Sequence, residues 1–159
     1  AALLVAVNLG FFLHVHSLFG TLPVLTGAQS RREYLAAKLD YYPCARFAAE
    51  RLPQNDRILV VGEQRGYYIS QPHTATTVMA PNRFVLRANE AEDPGELLRA
   101  LGRNYRHILL VPREAKRLGE GYGIFAFTPR GAANWSALLA ASETEFEETG
   151  RCALLKLPR

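Results

Sequence analysis

Charged and amide side chains follow three short apolar segments that have the composition of buried strands. These side chains belong to Glu63, Arg65, Asn82, Arg83 and Arg113. Because the carboxyl ends of parallel strands meet at one edge of a sheet, we expect the side chains to gather there. Such a cluster either contacts a ligand or a neighbouring domain, or forms an internal salt-bridge network. The residues alone leave both alternatives open.

Two glycines, Gly62 and Gly66, follow the first of these segments, within VVGEQRGYY at 60–68. Doubly wound sheets bind phosphates at this position, so a nucleotide or phosphate loop is one interpretation. The spacing is neither GxGxxG nor that of a GK[ST] loop, the arrangements that place backbone amides around a pyrophosphate. The alternative is a tight turn in which Tyr67 and Tyr68 pack against the edge of the sheet.

No set of side chains has the spacing of a catalytic or metal site. Cys44 and Cys152 lie far apart and lack CxxC spacing, so they predict neither a metal site nor a redox motif. They are expected to be two buried thiols, or a disulfide if the compartment is oxidising. His73 and His107 are isolated in the sequence and are expected to be structural. We therefore predict no catalytic residue, no metal and no cofactor.

The elements that must position these residues alternate along the chain. Strands are predicted at 57–62, 74–79 and 107–111, followed by a hairpin of 144–149 and 152–157 with Gly150-Arg151 as a two-residue turn. Helices are predicted from the capping box Ser30-Arg-Arg-Glu33, from Pro43, from Asp93 and over 131–141. This order predicts an α/β fold: a small, mainly parallel Rossmann-like sheet flanked by helices, with an antiparallel hairpin at one edge.

An apolar segment, AALLVAVNLGFFLHVHSLFG at 1–20, precedes these elements, and no charged side chain occurs before Arg31. A membrane span needs about 20 mostly apolar residues. The apolar side chains would cover every side of a helix, which favours lipid or a fully enclosing core. We predict a transmembrane-like helix and exit loop over 1–27 and an α/β domain over 28–159. His14 and His16 are expected near lipid headgroups, since residues two apart on a helix do not face one ion.

The 159 residues are enough for one domain, and the net charge is +4. A positive charge favours anionic partners such as phospholipid headgroups or phosphates. The basic residues are scattered singly, without an aromatic-interleaved stripe, so we expect no nucleic-acid partner.

The order of features resembles the C-terminal extramembrane portion of bacterial polytopic glycosyltransferases that use dolichyl- or polyprenyl-phosphate sugars. These enzymes are akin to protein mannosyltransferases and the lipid A aminoarabinose transferase. The resemblance is carried by SRREYLAAKLDYYPCARFAAERLP, RILVVGEQRGYYI, ATTVMAPN and HILLVPRE. In that family the catalytic acidic residues lie in extracytoplasmic loops of the membrane half, so none can be placed in this chain.

The resemblance implies a last membrane helix in the inner membrane and a non-catalytic α/β domain on its periplasmic side. The expected partners are the bilayer, through residues 1–20, and a lipid-linked sugar or the remainder of a parent enzyme. Alone, the chain is expected to be inactive. Two alternatives remain open: a soluble nucleotide- or phosphate-binding domain, and an interaction module in which Glu63, Arg65 and Arg113 dock another membrane domain.

Overall fold

The computed structural model describes residues 2–158, and over these residues the chain forms eight helices and five strands. The helices are α1 Ala2–Phe19, α2 Leu22–Leu25, α3 Arg31–Lys38, α4 Tyr42–Arg51, α5 Arg83–Glu90, α6 Pro94–Gly102, α7 Pro112–Tyr122 and α8 Pro129–Ala141. The strands are β1 Ile58–Val61, β2 His73–Ala75, β3 His107–Leu110, β4 Glu143–Glu148 and β5 Cys152–Lys156. The fold is therefore α/β, as the sequence predicts.

The five strands form one mixed sheet in the order β2-β1-β3-β5-β4. Strands β2, β1 and β3 are parallel, whereas β5 is antiparallel to β3 and β4 is antiparallel to β5. The prediction of a mainly parallel sheet is thus wrong. The hairpin does lie at one edge, but its second strand pairs directly with β3 and places Leu154 opposite Leu109. Half of the pairings are antiparallel as a result.

The chain divides into two compact units, of which the first ends at Leu39 and the second begins at Asp40. The first contains α1 to α3. Helix α3 begins with the predicted capping box: Ser30 Oγ accepts from the Glu33 amide at 3.2 Å, and Glu33 Oε2 accepts from the Ser30 amide at 2.8 Å. The predicted division into 1–27 and 28–159 stays a prediction.

Helix α1 exposes apolar side chains along its whole length. Leu3 is 78% exposed, Phe11 69% and Leu18 69%. Among the described residues, no helix has both the length and the apolar content that a membrane crossing requires. The structure therefore confirms a helix in this segment without showing that the helix spans a membrane.

The second unit buries both faces of its sheet. On one face, Leu59, Ile108 and Leu155 pack in a core with Phe84 and Trp135, from α5 and α8. On the other face lies α4, where Phe47 stacks on Phe146 of β4 at 4.7 Å between ring centroids. Each fully buried large side chain contributes roughly 1.5–3 kcal/mol of transfer free energy, so this two-sided burial holds β1 and β3 in place.

The disulfide joining Cys44 to Cys152 fixes α4 to β5. The sequence left open whether these cysteines are free thiols or a pair, and the structure answers that they are paired. Both residues are buried, Cys44 on the side of α4 that faces the sheet and Cys152 in β5. No free cysteine is left in the described part of the chain.

Three details differ from the predicted elements. The strand predicted over 74–79 ends at Ala75, because the following residues turn toward the side chain of Asn82. Helices α5 and α7 were not predicted. The hairpin turn spans three residues instead of two: Glu148 pairs with Cys152, and the Arg151 amide donates to Glu148 O at 2.9 Å. Gly150 has φ +72° in this turn, a conformation that favours glycine.

Candidate functional site

The candidate site lies where β1 and β3 end side by side. Val61 pairs with Leu110 at the last position of both strands. In the sheet, β2 lies on one side of β1 and β3 lies on the other side. The order of the strands therefore reverses at β1. Open α/β sheets hold ligands in the crevice at such a reversal. The loop that begins at Gly62 and the first turn of α7 form the two walls.

The backbone of Gly62 fills this crevice. Its φ is +90°, and a Cβ atom there would lie 2.5 Å from the carbonyl oxygen of Val111 and 2.7 Å from the amide nitrogen of Ala115. Only glycine permits this approach. The amides of the loop are occupied as well: Gly62 donates to Thr76 Oγ1 at 3.0 Å, and Gln64 and Arg65 donate to Glu63 Oε1, so these three amides do not face a pyrophosphate.

An apolar cavity of about 220 Å³ lies beside the same strand ends. Its walls include Val61, Phe84, Phe125, Phe127 and Trp135. The rings of Phe125 and Trp135 stack on Phe127, and the ring of Phe84 is tilted against Trp135 with the centroids 5.0 Å apart. These walls offer no charged side chain to a phosphate, and the indole N–H of Trp135 is their one side-chain hydrogen-bond donor, which argues further against a nucleotide site.

Glu63 and Arg65 form a closed ion pair at the start of the loop. The guanidinium donates from Nε to Glu63 Oε1 at 2.8 Å and from Nη2 to Oε2 at 2.9 Å. The amides of Gln64 and Arg65 also donate to Oε1, at 2.9 and 2.8 Å. Glu63 is 3% exposed, whereas the Arg65 side chain is 63% exposed. Four donors thus satisfy one buried carboxylate.

The pKa values of this pair show the same coupling. Burial alone would raise the pKa of Glu63, but the hydrogen bonds and positive charge of Arg65 outweigh it and hold this pKa below its ordinary value. The hydrogen bond to Glu63 raises the pKa of Arg65, and the negative charge of Glu114, in the first turn of α7, adds to the effect. At neutral pH Glu63 is therefore charged and accepts four hydrogen bonds.

Tyr41 closes the inner side of the pair. Burial raises its pKa, and the charge of Glu63 raises it further, against a hydrogen bond with the backbone of Tyr68. The ring of Tyr68 packs edge-to-face on Tyr42 at 5.4 Å and on Tyr67 at 5.0 Å between centroids. The tyrosine pair after Gly66 is thus held by a second tyrosine pair, at the start of α4, which the sequence did not connect with the loop.

The other predicted site residues have separate partners. Gly66 lies against the imidazole of His73, which leaves no room for a side chain. Arg113 Nη1 lies 3.7 Å from Asp40 Oδ2, and the same carboxylate is 3.3 Å from Arg151 Nε. Glu63, Arg65 and Arg113 thus have ion-pair partners within the chain, in two separate pairs, while a contact with a ligand or a neighbouring domain stays a prediction.

Asn82 is a buried structural amide. Its Oδ1 accepts from the Thr77 amide at 2.9 Å, and its Nδ2 donates to Thr77 O at 3.1 Å and to Ile124 O at 3.4 Å. It ties the loop after β2 to the segment after α7. Arg83, the next residue, is the exposed first residue of α5. The structure thus brings Glu63 and Arg65 together and gives Asn82 different neighbours.

A second charged cluster, at the opposite end of the strands, was missed by the sequence analysis. Buried His107 places Nε2 at 3.0 Å from Glu145 Oε2 and Nδ1 at 3.5 Å from Asp56 Oδ2. Lys156 Nζ lies 3.1 Å from Glu145 Oε1. Burial lowers the pKa of His107, against the charges of Glu145 and Asp56. The histidine is therefore not isolated, although it is structural.

A β-bulge brings Glu145 to this cluster. The pairing of β4 with β5 shifts between Thr144 and Phe146, so Glu145 is an extra residue in the strand. A bulge of this kind turns a side chain out of the regular alternation. The regular alternation of side chains along a strand does not include a bulge. The sequence pattern therefore cannot predict that Glu145 contacts His107.

Within residues 2–158, no three or more His, Cys, Asp and Glu side chains are grouped so that they could hold a metal ion. The fold and the site define an α/β protein with a mixed five-stranded sheet and an internally paired carboxylate at its strand ends. No protein-family model, curated protein or solved structure matches the chain.

Proposed function

We propose that the chain is the non-catalytic periplasmic domain of a membrane glycosyltransferase, attached to the inner membrane by α1. The parent enzyme would transfer a sugar from a polyprenyl-phosphate donor. The observation that carries the proposal is the exposure of apolar side chains on all sides of α1, which implies an apolar environment around it.

The polar groups of the first unit support a lipid environment. Asn8 Nδ2 donates to the Leu4 carbonyl at 2.7 Å, and Thr26 Oγ1 donates to the Leu22 carbonyl at 3.1 Å. The Thr21 hydroxyl, which is bonded to the His16 ring, also lies 3.2 Å from the His16 carbonyl. In hydrocarbon, polar groups must be satisfied internally. Asn8, Thr21 and Thr26 satisfy that requirement through backbone carbonyls of the same segment.

The disulfide supports the periplasmic side. Disulfides persist in oxidising compartments such as the bacterial periplasm and are rare in the reducing cytosol. The buried disulfide between Cys44 and Cys152 thus favours an oxidising compartment for the second unit.

The site supports an accessory role over a catalytic one. A sugar-transfer base needs a carboxylate with a free lone pair that faces its substrate. Glu63, the buried carboxylate at the strand ends, is fully bonded to its own loop. The proposal therefore assigns sugar transfer to the membrane half of the parent enzyme.

The first test measures attachment. The full chain is expressed with an export signal, and its membrane fraction is extracted with alkaline carbonate. Wild type is expected to remain with the membrane, and a Leu9→Arg/Phe12→Arg variant is expected to be released. Leu86→Arg is the matched control, since Leu86 is an exposed leucine of the second unit. Release of wild type, or retention of the double variant, would overturn attachment through α1.

The second test measures sugar transfer. Polyprenyl-phosphate mannose, radiolabelled in the sugar, is incubated with the purified chain and with membranes that hold the parent enzyme, with or without residues 40–159. The purified chain is expected to transfer no label, and removal of the domain is expected to slow transfer by the parent. Transfer by the chain alone, or an unchanged rate without the domain, contradicts the accessory role.

A further inference from the structure

Three arginines of the second unit line one groove without a carboxylate within 4.0 Å of them in the described part of the chain. Arg99 lies in the last turn of α6, Arg103 directly follows that helix, and Arg106 precedes β3. The groove has a volume of about 520 Å³ and opens to solvent. Three positive charges are therefore concentrated in one groove, although Glu96 lies on the adjoining surface beside Arg99 and Arg103.

Most other arginines of this unit have an acidic neighbour. The ion pairs are Arg46–Glu50, Arg65–Glu63, Arg87–Glu90, Arg113–Asp40, Arg117–Glu114 and Arg151–Asp40. A helix C-terminus favours nearby cations, which accounts for Arg99 and Arg103. It does not account for Arg106, which lies beyond the helix beside buried His107, whose pKa its charge lowers.

The groove is also lined by apolar and aromatic side chains. Leu98, Tyr105 and Pro158 are partly exposed there, and Leu157 is buried. Guanidinium groups bind phosphate oxygens through two parallel N–H donors. A groove lined by guanidinium groups together with apolar side chains matches a phosphate that carries hydrocarbon.

We propose that this groove is a docking surface for the phosphate headgroups of anionic membrane lipids. It gives the second unit a contact with the bilayer that is separate from α1. The inference rests on the proposed function, because attachment through α1 keeps lipid phosphates at high local concentration. The argument for lipid as the occupant is charge complementarity joined to the apolar lining.

The test is sedimentation of the full chain with vesicles, either of phosphatidylcholine alone or of phosphatidylcholine and phosphatidylglycerol in equal amounts. The variant is Arg99→Gln/Arg103→Gln/Arg106→Gln. The matched control, Arg51→Gln/Arg83→Gln/Lys116→Gln, removes the same charge from exposed positions elsewhere in the unit. Melting temperatures establish that all three proteins are folded.

Wild type and control are expected to bind the anionic vesicles about ten- to a hundredfold more tightly than the neutral ones at low salt. The groove variant is expected to lose most of this preference, and high salt is expected to remove it from all proteins. Binding to neutral vesicles measures attachment through α1 alone. If wild type does not bind neutral vesicles, the proposed function is contradicted, but the preference of wild type and variant for anionic vesicles can still be compared. A preference that survives in the groove variant overturns the docking surface, and equal binding of wild type to duplex DNA overturns the assignment to lipid.

Discussion

The disulfide between Cys44 and Cys152 closes a loop of 108 positions that contains β1 to β4 and α5 to α8. It connects α4 to β5 beside the stacked rings of Phe47 and Phe146. This bond has one consequence for stability and one for the compartment in which the protein folds. It restricts the unfolded chain, and it can form only where thiols are oxidised.

Removal of this bond is expected to destabilise the second unit. For a Cys44→Ala/Cys152→Ala variant we expect the free energy of unfolding to fall by about 2–5 kcal/mol, chiefly because the unfolded chain regains the entropy of a long open loop. Urea denaturation of both proteins measures the difference. Wild type unfolded in the presence of a reductant serves as the control. Its free energy of unfolding should approach that of the variant. An equal stability of wild type and variant would show that the loop is restrained by other contacts.

Loss of the charge on Glu63 is expected to be costly. Glu63→Gln keeps the shape of the side chain but removes the charge-assisted hydrogen bonds from Arg65, so we expect a loss of about 1.5–3 kcal/mol at pH 7. Glu90→Gln is the matched control. Its partner is the exposed Arg87, at 3.0 Å, and the expected loss is about 1 kcal/mol or less. Equal losses in both variants would contradict the special role of the buried carboxylate.

The cost of Glu63→Gln is expected to depend on pH. The pKa of Glu63 in the folded chain lies below its ordinary value of 4.5, so the folded state binds the proton less tightly than the unfolded state. The stabilisation is present above the unfolded pKa and is lost as pH falls through the folded pKa. The gap between wild type and variant, measured by denaturation at a series of pH values, should narrow below about pH 4.5. A constant gap would contradict the shifted pKa.

His107 is expected to make the fold sensitive to mild acid. Burial lowers its pKa below the ordinary value of 6.5, so the unfolded chain takes up the proton first as pH falls. Stability should therefore decrease from about pH 6.5 downward, until the folded pKa is passed. His107→Gln should remove this part of the pH dependence. Denaturation curves between pH 7 and 5 measure it, and parallel curves for both proteins would contradict the prediction.

The pKa of the His107 imidazole tests the influence of Glu145, the residue that the bulge brings to it. Glu145 is the strongest opponent of the burial effect at His107, because its carboxylate lies 3.0 Å from Nε2. For Glu145→Gln we expect the pKa of His107 to fall further, as followed by NMR of the ring protons. Glu143→Gln is the control: Glu143 lies 3.9 Å from Lys156 and is not among the main influences on His107. A rise in the pKa after Glu145→Gln would contradict the electrostatic account.

The elements that the sequence predicts correctly depend on local signals. The capping box at Ser30 and Glu33 is complete within four residues, and β1 is a continuous β-branched apolar run. Helix α7 was missed because its sequence is polar and only Leu118 is buried. Strand β2 ends early because of the Asn82 amide, a tertiary contact that propensity does not contain.

The candidate site likewise has features that local sequence predicts and features that depend on tertiary contacts. Sequence order was enough to place Gly62, Glu63 and Arg65 at the end of a strand, since a strand followed by a turn is a local pattern. It could not show that Glu63 is buried and bonded four times, or that Asp40 takes Arg113 as its partner. These contacts depend on how α4 and α7 pack on the sheet, so charged residues that look available in sequence are already paired in the fold.

Gly62 offers the sharpest test of the packed crevice. In Gly62→Ala, the new methyl group would meet the Val111 carbonyl and Ala115, and the residue would keep a φ of +90° that side chains rarely adopt. We expect a loss of several kcal/mol, on the order of 3–5, since backbone strain and overpacking add. Thermal and urea denaturation measure the loss.

Gly102→Ala is the control for this substitution. Gly102 is the last residue of α6, its Cβ would have no neighbour within 4 Å, and it has no positive φ. Alanine there should be neutral or stabilise the helix by up to about 1 kcal/mol. If Gly62→Ala were tolerated as well as Gly102→Ala, the two walls of the crevice would have to separate easily. The strand ends could then admit a ligand, which would restore the phosphate-binding interpretation that the close approach of Gly62 to α7 argues against.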